Sequence, residues 1–265
     1  MAELTVYRLS FHSGFHLGVR GVNLEESAWH IPSDTLFAAI VDVALRIGAR
    51  AEDFAPFLRG DPPFLLTSAF PFAGNVRFFP MPVPLDLWFS QETLRKRSKD
   101  LKKVKFVSEA LFRRMLAGEP MDDWFFPEDE GEEPRTGMAL QGKTFWLAVE
   151  EAGNLPGEMR VWPGRLRALR HHAVFRSHQV PRVTLDRINS ASNIFHSGRV
   201  SFSPGCGLWF GVWWRKDDTA LRDIFLRALA VLADDGLGGE RTVGYGGFSW
   251  AEDKSLILPD PTDGG

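Results

Sequence analysis

Seven histidines are the first residues in this sequence able to do chemistry: His12, His16, His30, His171, His172, His178 and His196. Metal-free cleavage of RNA needs a base beside the 2′-hydroxyl and an acid at the leaving oxygen, and an imidazole pair can fill both places. His171 and His172 are adjacent and stand among arginines. Adjacent residues need not face one site, however, and a histidine pair on a polar loop is the plainer reading. Asp34 carries a carboxylate early in the chain. It follows Ser33 where a helix should begin, and there a carboxylate simply complements the helix dipole. A single cysteine, Cys206, excludes an internal disulfide framework and a cysteine-rich zinc site. No cofactor is expected.

The sharpest local pattern is Gly236 to Phe248, which reads GLGGERTVGYGGF. A phosphate-binding P-loop ends in Gly-Lys-Ser/Thr, which is missing here. A dinucleotide fingerprint would need a third glycine where Arg241 stands, and it would follow a strand and open a helix; this loop follows a helix and precedes a strand. Nucleotide-cofactor binding is therefore not expected. Six glycines in residues 236–247 do allow backbone geometry closed to other residues, and close approach of a ligand chain. Exposed amides in such a loop can form an anion-binding hollow, to which Arg241 adds charge.

Charge is segregated although the net value is only −3. Residues 91–115 hold nine basic residues, among them Arg97, Lys102, Lys103 and Lys105, against Glu92, Asp100 and Glu109. Residues 119–133 hold eight acids and no base, and residues 160–187 hold seven arginines against Asp186 alone. Basic stretches attract phosphate by releasing counterions, and arginine also stacks on bases. Both runs are interleaved with aromatics such as Phe106, Phe112, Trp162 and Phe175, which favours RNA over a merely solvated face. The acidic run carries Trp124-Phe125-Phe126, expected as an apolar anchor on a mobile loop. With 22 Phe and 9 Trp but 2 Tyr, the rings fit either a Trp-rich core or a surface buried against a partner. The opening residues predict no signal peptide, and the apolar runs are too short for a membrane helix. A cytoplasmic protein without membrane contact is expected.

The elements that must position these residues follow from periodicity. Leu4 to Phe11 predicts a strand, and Asp34 to Ile47 an amphipathic helix with Ser33 as its cap and Gly48 as its stop. Phe64 to Phe72 predicts a buried strand that Arg77 to Phe79 can join. Glu109 to Leu116 predicts a short helix, and Thr144 to Glu150 an apolar strand. Val174 to Arg187 predicts extended chain around Pro181. Leu208 to Trp214 is apolar on both faces, and Asp217-Asp218 opens a helix with its core stripe from Leu221 to Leu232. A final strand is expected at Gly247 to Trp250. Each half then reads as a ferredoxin-like unit of an α+β fold. Residues 1–155 form the first, carrying a long insertion at 85–140, and residues 156–265 the second, with the glycine-rich loop at 236–247.

The glycine-rich loop resembles that of the RAMP superfamily of CRISPR proteins. His30-Ile-Pro-Ser-Asp-Thr-Leu-Phe-Ala-Ala-Ile, Pro80-Met-Pro-Val-Pro with the lysine-rich stretch after it, and Pro181-Arg-Val-Thr-Leu-Asp-Arg-Ile-Asn resemble one member family. That family is the handle-capping RAMP subunit of the type III-A (Csm) effector, and the likeness runs in order over most of the chain. It implies two ferredoxin-like (RRM-like) domains facing each other, and a non-catalytic role in antiviral defence. It implies binding of the repeat-derived 5′ handle of the crRNA, with target RNA met only indirectly. The implied protein partners are the large polymerase-domain subunit and the backbone RAMP subunit. A protruding thumb at the handle–guide junction is typical of the family, and residues 91–115 are assigned to it. The implied RNA contacts are His30, Ser33, Arg97, Lys102, Lys103, Lys105, Arg182, Arg187, Asn189, Gly238, Gly239, Arg241, Tyr245 and Gly246. Because related RAMP proteins cut RNA, an endoribonuclease acting through His171 and His172 or Asp34 is the alternative.

Overall fold

The structure is a computed structural model and describes residues 2–18, 27–129, 132–159, 172–185 and 192–258. Its elements in chain order are β1 (Ala2–Phe11), α1 (Ser33–Arg46), α2 (Ala55–Leu58), β2 (Phe64–Leu66), β3 (Phe70–Ala73), β4 (Val76–Pro80), α3 (Gln91–Lys96) and α4 (Ser98–Leu101). There follow β5 (Phe106–Ser108), α5 (Glu109–Leu116), β6 (Gly137–Leu140), β7 (Phe145–Ala148), β8 (Phe175–Leu185), β9 (Ser192–Phe202), β10 (Cys206–Trp214), α6 (Thr219–Asp235) and β11 (Phe248–Leu258). The chain divides into two compact units: residues 1–69, 175–202 and 207–265 form one, and residues 70–174 and 203–206 the other. The chain is thus mixed α+β.

In the first unit β1 pairs antiparallel with β10 on one edge and β11 on the other, and β10 pairs with β2. Read along the chain, β1-α1-β2-β10-α6-β11 is the strand-helix-strand-strand-helix-strand order of a ferredoxin-like motif. Its second and third strands are separated by residues 67–205. This corrects the expected division at residue 155. Both hydrogen-bonding edges of β1 are taken by strands from the last quarter of the chain, so β1 pairs with no strand of the N-terminal half. Each helix buries an apolar stripe, Leu36, Ile40, Val43 and Ala44 of α1 and Leu221, Phe225, Ala228, Leu229 and Leu232 of α6, while Leu45 of α1, expected in the stripe, is exposed. Burying one such large apolar side chain stabilises by roughly 1.5–3 kcal/mol. Asp218 caps α6 by accepting the Leu221 amide at 2.9 Å. The expected Ser33 cap is not formed: Ser33 is the first helical residue, the cap position is Pro32, and the Ser33 amide donates to Ser68 Oγ at 3.1 Å.

The same unit contains the two-stranded β8–β9 ribbon, paired from Phe175↔Phe202 to Leu185↔Ser192. A hairpin alone is marginal in water, and this one is anchored at its root by rings. Phe15 stacks on Phe202 at 5.9 Å and on Phe11 at 4.9 Å, and Trp29 stacks on Phe175 at 5.9 Å. Beyond that root Arg176, Ser177, His178, Gln179, Pro181 and Val183 are exposed.

In the second unit the strand order is β3-β4-β5-β7-β6, antiparallel except for the parallel pair β5–β7. Residues 85–140 are therefore no loop added to a finished sheet: they supply β5 between β4 and β7, and β6 on its edge. The acidic run is likewise anchored. Phe125 and Phe126 are buried, Trp146 Nε1 donates to the Trp124 carbonyl at 2.9 Å, and the Arg114 guanidinium lies 3.9 Å from the Trp124 ring centre. Residues 91–115, expected as a projecting thumb, fold as α3, α4, β5 and α5, with Leu101, Val104 and Leu111 buried.

Candidate nucleic-acid interface

Three segments of the first unit meet around the glycine-rich loop: residues 12–16, the β8–β9 ribbon and residues 236–247. The contacts are mostly backbone to backbone. Gly239 N donates to His16 O at 2.8 Å, Gly246 N to Gly14 O at 3.1 Å, and Leu237 N to Gly246 O at 3.0 Å. His16 is buried and its Nδ1–H donates to the Gly198 carbonyl at 2.7 Å, tying β9 to the same junction. Phe15 and Val200 exchange both backbone hydrogen bonds at 2.9 Å.

This packing accounts for two of the glycines. At Gly238 φ is +91°, and a Cβ would sit 2.2 Å from His16 O. At Gly246 φ is +82°, and a Cβ would sit 2.1 Å from Leu237 O. Gly244 differs: its φ is +84° but a Cβ would meet nothing within 4 Å. Beside it, Arg241, Thr242 and Val243 are exposed. Among the described residues, the amides of Glu240, Arg241 and Thr242 find no acceptor. Consecutive free amides of this kind suit an anion.

A charged and aromatic cluster lies where the loop meets the ribbon. The Arg182 guanidinium stands 5.5 Å and that of Arg199 5.9 Å from the Tyr245 ring centre. Arg199 lies opposite His178 in the register, and Arg182 is four residues on from His178, so both arginines share one face of the ribbon. Arg182 Nη2 reaches Glu240 Oε2 at 3.5 Å. The Nε atoms of Arg182 and Arg199 and the Oγ of Ser197 are buried without a hydrogen-bond partner among the described residues. The patch thus offers cations, spare donors and an aromatic ring, a combination that single-stranded nucleic acid uses through its phosphates and bases.

Of the residues singled out in the sequence, Arg182, Gly238, Gly239, Arg241, Tyr245 and Gly246 are brought together here. His30 and Ser33 lie in the same unit, at the entry to α1. Burial holds the His30 imidazole below the usual histidine range, and its ring sits 4.5 Å from that of Trp29. Lys102, Lys103 and Lys105 are exposed on the second unit. Arg97, also there, is engaged internally: it donates to Asp100 at 3.0 Å and to Phe126 O at 2.9 Å. Burial would raise the Asp100 pKa, but hydrogen bonds from Lys143 and Arg97 outweigh it and hold the carboxyl below its usual range. Asp34 is exposed and accepts the Thr35 amide at 2.7 Å. Arg187, Asn189 and His171 lie outside the described residues. Sequence reasoning missed Arg199, Ser197 and the staple made by His16. Their signal was the alternation of residues 192–202, interrupted by Gly198 and too polar to read as a strand alone.

No protein-family model matches the chain. Over 259 residues it is 20% identical to a curated protein of Methanocaldococcus jannaschii named CRISPR system Cms protein Csm4; the match covers 94% of this chain and 66% of the relative. The chain therefore spans just under two thirds of that relative's length. Among solved structures, a Csm3–Csm4 subcomplex of the type III-A CRISPR-Cas interference complex superposes with a TM-score of 0.62 at 18% identity, covering 96% of this chain and 70% of the matched one. A Csm1–Csm4 cassette in complex with cA4 superposes at 0.55 and 18% identity, covering 98% and 72%.

Proposed function

We propose that this chain, Csm4-like in sequence and in fold, is a non-catalytic RNA-binding subunit of a type III-A CRISPR effector complex. On this reading it grips the repeat-derived 5′ handle of the crRNA as a single strand. It stands between the large polymerase-domain subunit and the backbone RAMP subunits, the chains named Csm1 and Csm3 in the solved complexes of its structural relatives. Unit one is the ferredoxin-like core of a RAMP fold, and unit two is the elaborated second domain. One observation carries the RNA assignment: Arg182, Arg199 and Tyr245 meet the free amides of the glycine-rich loop in a single patch. Phosphates fit the guanidinium groups and amides, and splayed bases fit the ring and the ribbon edges. Because Arg97 is committed to Asp100 and Phe126, the second group of contacts rests on Lys102, Lys103 and Lys105.

Co-purification with the assembled complex is the primary test: the tagged full chain should bring down a CRISPR RNA and both protein partners. In a gel-shift titration with repeat-derived RNA, Arg182→Ala with Arg199→Ala should weaken binding about ten-fold or more. Replacing Lys102, Lys103 and Lys105 together should lower the salt slope by about two to three. An affinity indifferent to salt, or a complex whose RNA handle is held by another chain, would sink the proposal. RNA cleavage by the purified protein that disappears in His171→Ala or Asp34→Ala would transfer the assignment to a ribonuclease.

A further inference from the structure

Glu240 is the one acidic residue of the glycine-rich loop, and it is placed on a cation. Its backbone has φ 60° and ψ 20°, the left-handed region. Among the described residues only Gln141 and Lys143 share a positive φ without being glycine. Such a conformation costs a non-glycine residue of order 1 kcal/mol. In a loop where glycine is the common answer to a positive φ, a carboxylate is held at that cost. Its side chain meets Arg182, the guanidinium that shares the Tyr245 ring with Arg199. No carboxylate among the described residues pairs with Arg199.

We propose that Glu240 is an internal stand-in for phosphate, a carboxylate that occupies Arg182 until a phosphodiester of single-stranded RNA displaces it, and that it thereby sets RNA selectivity. The inference rests on the proposed function and adds a residue that limits affinity. A carboxylate and a phosphate present similar oxygen pairs to a guanidinium. Binding at Arg182 is therefore an exchange of one anion for another, and the displaced carboxylate then faces the polyanion. An RNA that delivers only phosphate charge gains little from this exchange. One that also stacks a base or fills the free amides of residues 240–242 gains enough to complete it. Glu240 thus acts against indiscriminate RNA more than against the fitting one, a repulsive element of the kind that specificity needs.

The test is a gel-shift titration of the full chain and its variants with repeat-derived RNA and with a scrambled RNA of equal length. Glu240→Gln keeps the size and removes the charge; Glu240→Gly relieves the backbone as well. Both should bind about two- to five-fold more tightly, the strength of a half-exposed ion pair. The salt slope should steepen by about one, and the scrambled RNA should gain more than the repeat RNA. In an Arg182→Ala background the gain from Glu240→Gln should shrink, since only the repulsion between carboxylate and polyanion is then relieved. Unchanged or weaker binding by both Glu240 variants, or a gain undiminished without Arg182, overturns the inference while leaving RNA binding standing. Failure of every protein, wild type included, to bind either RNA overturns the proposed function and this inference together.

Discussion

Gly238 and Gly244 have nearly the same backbone angle, yet the structure gives them different reasons to be glycine. Gly238 must admit the His16 carbonyl, which a Cβ would meet at 2.2 Å, whereas Gly244 faces open space. Gly238→Ala should therefore destabilise by more than about 2 kcal/mol, from clash and left-handed strain together. Gly244→Ala should cost only about 1 kcal/mol, from strain alone. Denaturant unfolding of the two variants checks the order, and equal losses would mean the loop does not cross residue 16 as described. Glu151 gives a prediction in pH. Burial raises its pKa, against hydrogen bonds from the Ala148 and Ala110 amides that lower it. The folded protein then holds this proton more firmly than the unfolded chain, so its contribution is fully present below the unfolded value of about 4.5. It is lost as pH rises through the folded value. Measured against Glu151→Gln, which does not titrate, the wild type should lose relative stability as pH rises above about 4.5. A gap that stays constant or widens in favour of the wild type would contradict the assigned burial.

At the scale of elements, what could be read from sequence is what local chemistry decides. A short helix was expected near Glu109 to Leu116 and is α5, because its apolar positions and flanking turns agree. Leu208 to Trp214 was read as apolar on both faces and falls in β10, where Cys206 to Val212 are all buried. The run from Phe64 to Phe72 was read as one strand and is two. Thr67 donates its amide to Gly211, and Ala69 pairs with Ile31, partners too distant in sequence to leave a local mark. The Trp124 to Phe126 anchor was read as a mobile loop because eight nearby acids masked an aromatic plug. In the candidate site, the glycine-rich loop and Arg182 were legible from residue type. Arg199 was not, since only the β8–β9 register reveals that it shares a face with Arg182.

For the whole molecule, the decisive fact is that the β11-β1-β10-β2 sheet draws its strands from opposite halves of the sequence. Sequence periodicity gives the strands but not which edges they share, so two sequential halves were the natural expectation. A fragment of residues 1–155 should consequently fail to form the β1 sheet, since it lacks β10 and β11. Its N-terminal segment should be cut by protease far faster than in the full chain. Protection of β1 in that fragment would contradict the pairing.

That pairing places Ala2 opposite Leu258 and runs the two strands in opposite directions. Tension applied between those two residues would therefore act as a zipper pull, parting β1 from β11 one hydrogen bond after another. The sheet offers little mechanical resistance along that direction, however stable it is to heat or denaturant.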